Sequence, residues 1–132
     1  MQYVLLIYTP EPTEEPTPEA ISESMKGYNA FTEHIRSRGA MLAGEALDSI
    51  ATATTVRVVD GRTIATDGPF AETKETLGGF YLIEAADLDE AIAYAAMIPG
   101  AKYGCIEVRP VWDYGASNAG AADEPATATA GH

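Results

Sequence analysis

The chain has 132 residues, 46% of them hydrophobic and 21% charged, with a formal net charge of −12. A chain of that length suits one domain and buries roughly two-thirds of its unfolded surface without a metal or disulfide. Eight basic residues against twenty acidic ones make nucleic acid and anionic membrane poor partners, no apolar run approaches the roughly 20 residues that span a bilayer, and the expected location is the cytoplasm.

Residues 2–8 (QYVLLIY) form a short apolar run rich in β-formers and read as a buried central strand. Residues 9–18 (TPEPTEEPTP) carry four prolines and three glutamates and read as an exposed connection, because proline donates no backbone hydrogen bond. Thr17 as N-cap, Pro18 at the first helical position and Glu19 in the first turn start a helix. Its apolar stripe is Ile21, Met25, Tyr28, Phe31 and Ile35, which the spacing assigns to the core, and Arg36, Arg38 and Gly39 suit its end.

Residues 40–47 (AMLAGEAL) and 54–59 (TTVRVV) read as strands. Asp60-Gly61 joins the second of these to a partner over residues 62–66 as a two-residue hairpin. A turn region over residues 67–76 leads through Gly78-Gly79 to a strand at residues 80–84 (FYLIE). Asp87 and Glu90 then form a capping-box-like start to a second helix that presents Leu88, Ala91, Ile92, Ala95 and Ala96 to the sheet and ends at Pro99-Gly100. The last strand is residues 104–112 (GCIEVRPVW), with Pro110 near its end; Cys105, the only cysteine, reads as a small core residue within it. The Ala/Thr/Gly-rich residues 114–132 read as a disordered tail beyond a single domain over 1–113.

The order strand, helix, strand, hairpin, strand, helix, strand is an α+β, ferredoxin-like split β-α-β arrangement with an inserted hairpin. Both helices cover one sheet face. The other stays apolar and open, and a two-fold homodimer packed sheet to sheet is the expected way of covering it.

The densest cluster of ionisable residues lies in DGPFAETKE, residues 67–75. Asp67-Gly68-Pro69 makes a turn by its own chemistry, since an Asp side chain can accept from backbone amides ahead of it and Gly tolerates positive φ. Asp67 is equally a candidate acid/base, with His34 as the sole internal histidine to assist it. Arg57 and Arg109 are strand residues that either clamp an anionic group or pair internally with Glu45, Glu75 or Glu107, the second being the simpler role. Phe70, Glu75 and Tyr81 complete the candidate binding set; Tyr81 and Phe80 point to opposite faces of one strand, so one of them at most lines a given pocket. Neither a metal site nor a bound cofactor is expected, because His34 has no second histidine at ligand spacing.

The combination of Gly44-Glu45-x-Leu47, Thr55-Val56-Arg57, TDGPFAETKE over residues 66–75, GGFYLIE over 78–84, LDEAI over 88–92, Ile98-Pro99 and EVRPVW over 107–112 resembles the DGPF branch of the YCII-related family. That resemblance implies a ferredoxin-like domain forming a dimeric α/β barrel, with acid/base chemistry centred on the acidic position that Asp67 matches. It also implies an association with alternative sigma factors. Two function classes stay open: a homodimer that binds a small anionic or polar metabolite, with Asp67 and His34 catalytic, or a non-enzymatic interaction module.

Overall fold

The computed structural model describes residues 1–113; the tail expected from residue 114 onward lies outside them. Six strands and two helices are present: β1 (Gln2–Pro10), α1 (Pro18–Ser37), β2 (Met41–Ala46), β3 (Thr54–Val59), β4 (Arg62–Asp67), β5 (Glu75–Glu84), α2 (Leu88–Ala96) and β6 (Cys105–Pro110). Four strands make an antiparallel sheet in the order β2-β5-β1-β6, while β3 and β4 form a separate two-stranded hairpin. This is the ferredoxin-like α+β arrangement with its inserted hairpin.

The apolar run at the amino terminus becomes a central strand because it pairs on both sides, with β5 and with β6. Its side chains alternate: Tyr3, Leu5 and Ile7 are buried, Val4, Leu6 and Tyr8 only partly so. Across the sheet Leu5 stands opposite Tyr81 and Val108, and Tyr3 opposite Ile83. Phe31 and Ile35 of α1 and Ala91, Tyr94 and Ala95 of α2 close over this face, with Ile98 beside them. Leu5, Ile35, Ile83 and Ile98 are almost wholly removed from water, each contributing about 2 kcal/mol of transfer free energy.

Local signals fix the helix ends. The Thr17 hydroxyl accepts from the Ala20 amide at 3.1 Å, leaving Pro18 at the first turn where no donor is required. At the other end Gly39 has φ +71°, and the Gly39 and Ala40 amides donate to Arg36 O and Ile35 O at 2.9 and 2.8 Å, a Schellman closure. Asp87 caps α2 through the Glu90 amide at 2.9 Å, and Glu90 accepts in return from the Ala86 amide at 2.6 Å, one residue earlier than in the usual capping box.

Four expectations are corrected. The amino-terminal half of the α1 stripe is not core: Ile21 and Met25 are exposed, because that half of the helix stands off the sheet above a cavity. The buried stripe of α2 runs through Ala91, Tyr94, Ala95 and Ile98, whereas Leu88, Ile92 and Ala96 face outward. Tyr94 can be buried because its hydroxyl reaches the edge and accepts from Arg38 Nε at 2.8 Å. Strand β5 starts at Glu75, so Gly78 and Gly79 lie inside it, at a register shift opposite Ile7 and Tyr8. Cys105 is exposed rather than core, since it pairs with Tyr8 on the sheet face that no helix covers. Its thiol contacts Glu75 Oε1 at 3.7 Å; desolvation first, and then the Glu75 carboxylate, hold its pKa above the ordinary thiol value.

Replacing Leu5 by Ala should cost about 2–5 kcal/mol, since the site lies at the centre of the sheet and cannot collapse, while Leu88→Ala should stay within about 0.5 kcal/mol. Urea unfolding of the two variants checks the contrast; equal midpoints would contradict the assignment of faces. Cys105 should alkylate slowly at neutral pH, and Glu75→Gln should speed it, because removing the neighbouring negative charge raises the thiolate fraction. Iodoacetamide kinetics across pH read the shift directly.

Candidate functional site

Where α1 stands off the sheet, a cavity of about 460 Å³ opens between the helix and the β2–β5 edge. Ile7, Gly44, Gly79 and Tyr81 line its sheet side, and Met25, Tyr28, Asn29, Thr32 and Arg36 its helix side. Its floor depends on Gly44, where a Cβ would lie 2.8 Å from the Tyr81 ring. The ring itself is held by edge-on contact with Phe31, centroid to centroid 4.9 Å, and by a 3.0 Å hydrogen bond between its hydroxyl and that of Thr32.

Tyr28 stands between this cavity and a groove under the proline-rich connection, which it lines together with Thr9, Glu11, Pro99 and Gly100. Burial pushes the pKa of the Tyr28 hydroxyl up, opposed by a backbone hydrogen bond at Gly100 and reinforced by Tyr81. The cavity is therefore apolar at its base, with phenol and hydroxyl groups at its walls and a guanidinium on its helix side. Such a lining suits a small ligand with both a planar apolar body and a polar or anionic edge. Among the described residues no cluster of His, Cys, Asp and Glu could hold a metal ion.

Of the candidate catalytic and binding residues, Tyr81 alone lines this cavity; Gly44, Glu45, Gly78 and Gly79, noted in the sequence for other reasons, line it too. His34 is partly buried on another side of α1, its ring 6.2 Å from that of Tyr94, whose ring also carries the Arg38 guanidinium 5.9 Å from its centroid. Asp67 is the exposed last residue of β4, paired with Thr54. Its carboxylate does not close the turn; the Gly68 amide does so by donating to Ala53 O at 2.7 Å, with the Thr55 hydroxyl donating to Gly68 O at 2.8 Å. Gly68 takes φ +101°, as the turn reading required. Phe70 is 79% exposed just beyond it.

Arg57 projects from the hairpin and Arg109 from the helix-free sheet face, both exposed. Among the described residues neither makes an ion pair; the pairs present are the amino terminus with Glu84, Lys26 with Glu23 and Arg38 with Glu90. The internal pairing expected for the two arginines is thus not formed among the described residues; for Arg57 the reason is that the hairpin packs substantially on no other element.

Two features escaped the sequence reading. The cavity residues Ser24, Asn29, Thr32 and Arg36 carry no motif, and only the stand-off of the helix brings them together. Glu11 ties the proline-rich connection to the segment after β2 and to the start of β5, its carboxylate accepting from Ser49 Oγ at 2.9 Å and from Thr76 Oγ1 at 3.2 Å. A lone glutamate among prolines gives no sign of that role.

Comparison with known proteins gives the family. The YCII-related domain matches residues 1–115. An uncharacterized protein of Rhizobium meliloti (strain 1021) is 39% identical over 114 residues, covering 84% of this chain and 92% of the relative. Among solved structures, the 5-chloro-2-hydroxyhydroquinone dehydrochlorinase TftG of Burkholderia phenoliruptrix AC1100, in complex with 2,5-dihydroxybenzoquinone, is 16% identical with a TM-score of 0.45, over 89% of this chain and 99% of that one. On the family match and the curated relative together, the chain belongs to the YCII-related family.

Proposed function

We propose that this protein is a homodimer that binds a small polar or anionic metabolite in the cavity between α1 and the β2–β5 edge. The observation that carries the reading is the cavity itself, about 460 Å³ with the Thr32–Tyr81 hydroxyl pair in its wall and Arg36 on its helix side. Its volume falls in the range of small-molecule sites, and its polar groups are few and convergent. Tyr28, Tyr81 and Thr32 can donate to a bound oxygen, and Arg36 can neutralise a carboxylate or enolate.

Dimerisation is supported by the uncovered sheet face. Val4, Leu6, Tyr8, Leu77, Phe80 and Leu82 share it, a contiguous set of partly exposed apolar side chains that no helix covers. Catalysis centred on Asp67 belongs to this reading as its further step: an exposed carboxylate at the foot of the hairpin can take a proton from a substrate whose reacting end projects out of a pocket. His34 packs on Tyr94, away from the cavity.

A thermal-shift screen of wild type, Asn29→Trp and Asp67→Asn against a metabolite library tests these assignments. Asn29 is exposed and lines the cavity, so a Trp there fills the space without disturbing the core. A ligand class that raises the Tm of wild type and Asp67→Asn but not of Asn29→Trp supports the cavity; at one hundred times Kd the stabilisation is about 2.7 kcal/mol. Turnover lost in Asp67→Asn with binding kept would assign Asp67 the proton transfer. Stabilisation of all three alike would contradict the cavity reading, as would the absence of any binder.

A further inference from the structure

We infer that the β3–β4 hairpin is a clasp that packs on a second copy of this chain, its Arg57 and Arg62 meeting Glu75 and Glu107 of that copy. The inference rests on the homodimer reading and specifies what holds the dimer together.

The hairpin cannot be understood as part of one chain. Of its twelve strand residues all but Thr55 are exposed, among them Val56 at 59% and Val58 at 68%. A two-stranded ribbon with no third strand and no helix against it is marginal in water, and valines on its surface gain nothing there. The register separates two faces. Val56 and Val58 share one with Ala65 and Thr63, whereas Arg57 and Arg62 share the other with Ile64 and Val59. The second face is apolar and cationic at once, in a chain with only eight basic residues.

The helix-free sheet face carries Arg109 toward one end of β6 and carboxylates toward the other. At the β6 edge Glu107 lies in the row of Leu6 and Phe80, and Glu75 reaches Cys105, so two carboxylates flank the thiol and both raise its pKa after desolvation. Among the described residues neither carboxylate is ion-paired. An arginine-bearing apolar ribbon and a carboxylate-rimmed apolar sheet are complementary in both respects.

Chain geometry makes the contact intermolecular and gives it an address. The hairpin follows β2, which is one edge of the sheet, and leaves it at the end marked by Gly78 and Gly79; Glu75 and Cys105 occupy that same end, with the β6 edge on the far side. When two such sheets face each other about a two-fold axis along the strands, the β2 edge of each lies by the β6 edge of its partner and the strand ends coincide. Each hairpin then arrives at the partner's carboxylates, and two equivalent seams form.

Sedimentation equilibrium of the full chain tests the seam through charge reversal. Arg57→Glu with Arg62→Glu, and separately Glu75→Arg with Glu107→Arg, should each weaken self-association by roughly tenfold or more, since like charges then face each other at both seams. An equimolar mixture of the two double variants should recover wild-type affinity as a heterodimer, because both seams again pair opposite charges. Circular dichroism melts confirm that the variants fold, so that loss of mass is loss of association. A wild-type dimer whose affinity neither double variant changes, or a mixture that fails to recover it, overturns the clasp and leaves the homodimer standing. A wild-type chain that stays monomeric at high micromolar concentration overturns both.

Discussion

Everything in this fold follows from burial on one side of a four-stranded sheet. Leu5 and Ile83, on the two central strands, are closed over by Phe31 and Ile35 of α1 and by the short second helix, and that single layer is the core. Two helices cover one face of such a sheet and no more. The alternate residues of the same strands, Val4, Leu6, Phe80 and Leu82, are therefore left facing outward by the same pleat that buries their neighbours. Among the described residues no further element covers the second face.

The parts legible in the sequence were those whose signal is local. Thr17-Pro18 starts α1, Gly39 ends it and Asp60-Gly61 turns the hairpin, with Asp60 at φ 52° and Gly61 at φ 78°, because a cap or a tight turn is decided by the few residues that make it. Faces were harder. In α2 the alanines fit almost any orientation, and Tyr94 looks polar until Arg38 supplies a partner for its hydroxyl across the chain. In α1 the spacing of Ile21 and Met25 is as good as that of Phe31 and Ile35; only the distance between helix and sheet separates the pair that is buried from the pair that is not. That distance is tertiary and leaves no mark on periodicity.

The same distinction governs the candidate site. Residues conspicuous in the sequence, in DGPFAETKE above all, are conspicuous because charged and turn-forming types crowd together there, and the structure sets them at the exposed root of the hairpin. The cavity is made instead from three glycines on sheet strands and a run of small polar side chains on a helix, which only folding brings face to face. Tyr81 was legible because alternation along β5 had to send either it or Phe80 toward the helices. Its contact with the Gly44 position explains why this strand pair tolerates a large ring there, since any side chain on β2 would occupy the same space.

Charge sets a further condition on how the open face is covered. A body with a formal charge of −12 repels its own copies at long range, and apolar contact between two such faces is offset by that repulsion unless the cations stand where the copies meet. In the proposed dimer three of the eight basic residues do: Arg109 on the open face itself, and Arg57 and Arg62 on the hairpin. Glu75 and Glu107 form no ion pair within the described residues, although Arg109 stands two residues beyond Glu107 on the same face, and the hairpin arginines form none either. An internal pair would require the hairpin to fold back over its own sheet, and in this structure it packs substantially on no other element. In the proposed clasp the ribbon's isolation and the sheet's exposed face become two halves of one arrangement, each unfavourable in a single chain and each matched by the other in a second copy.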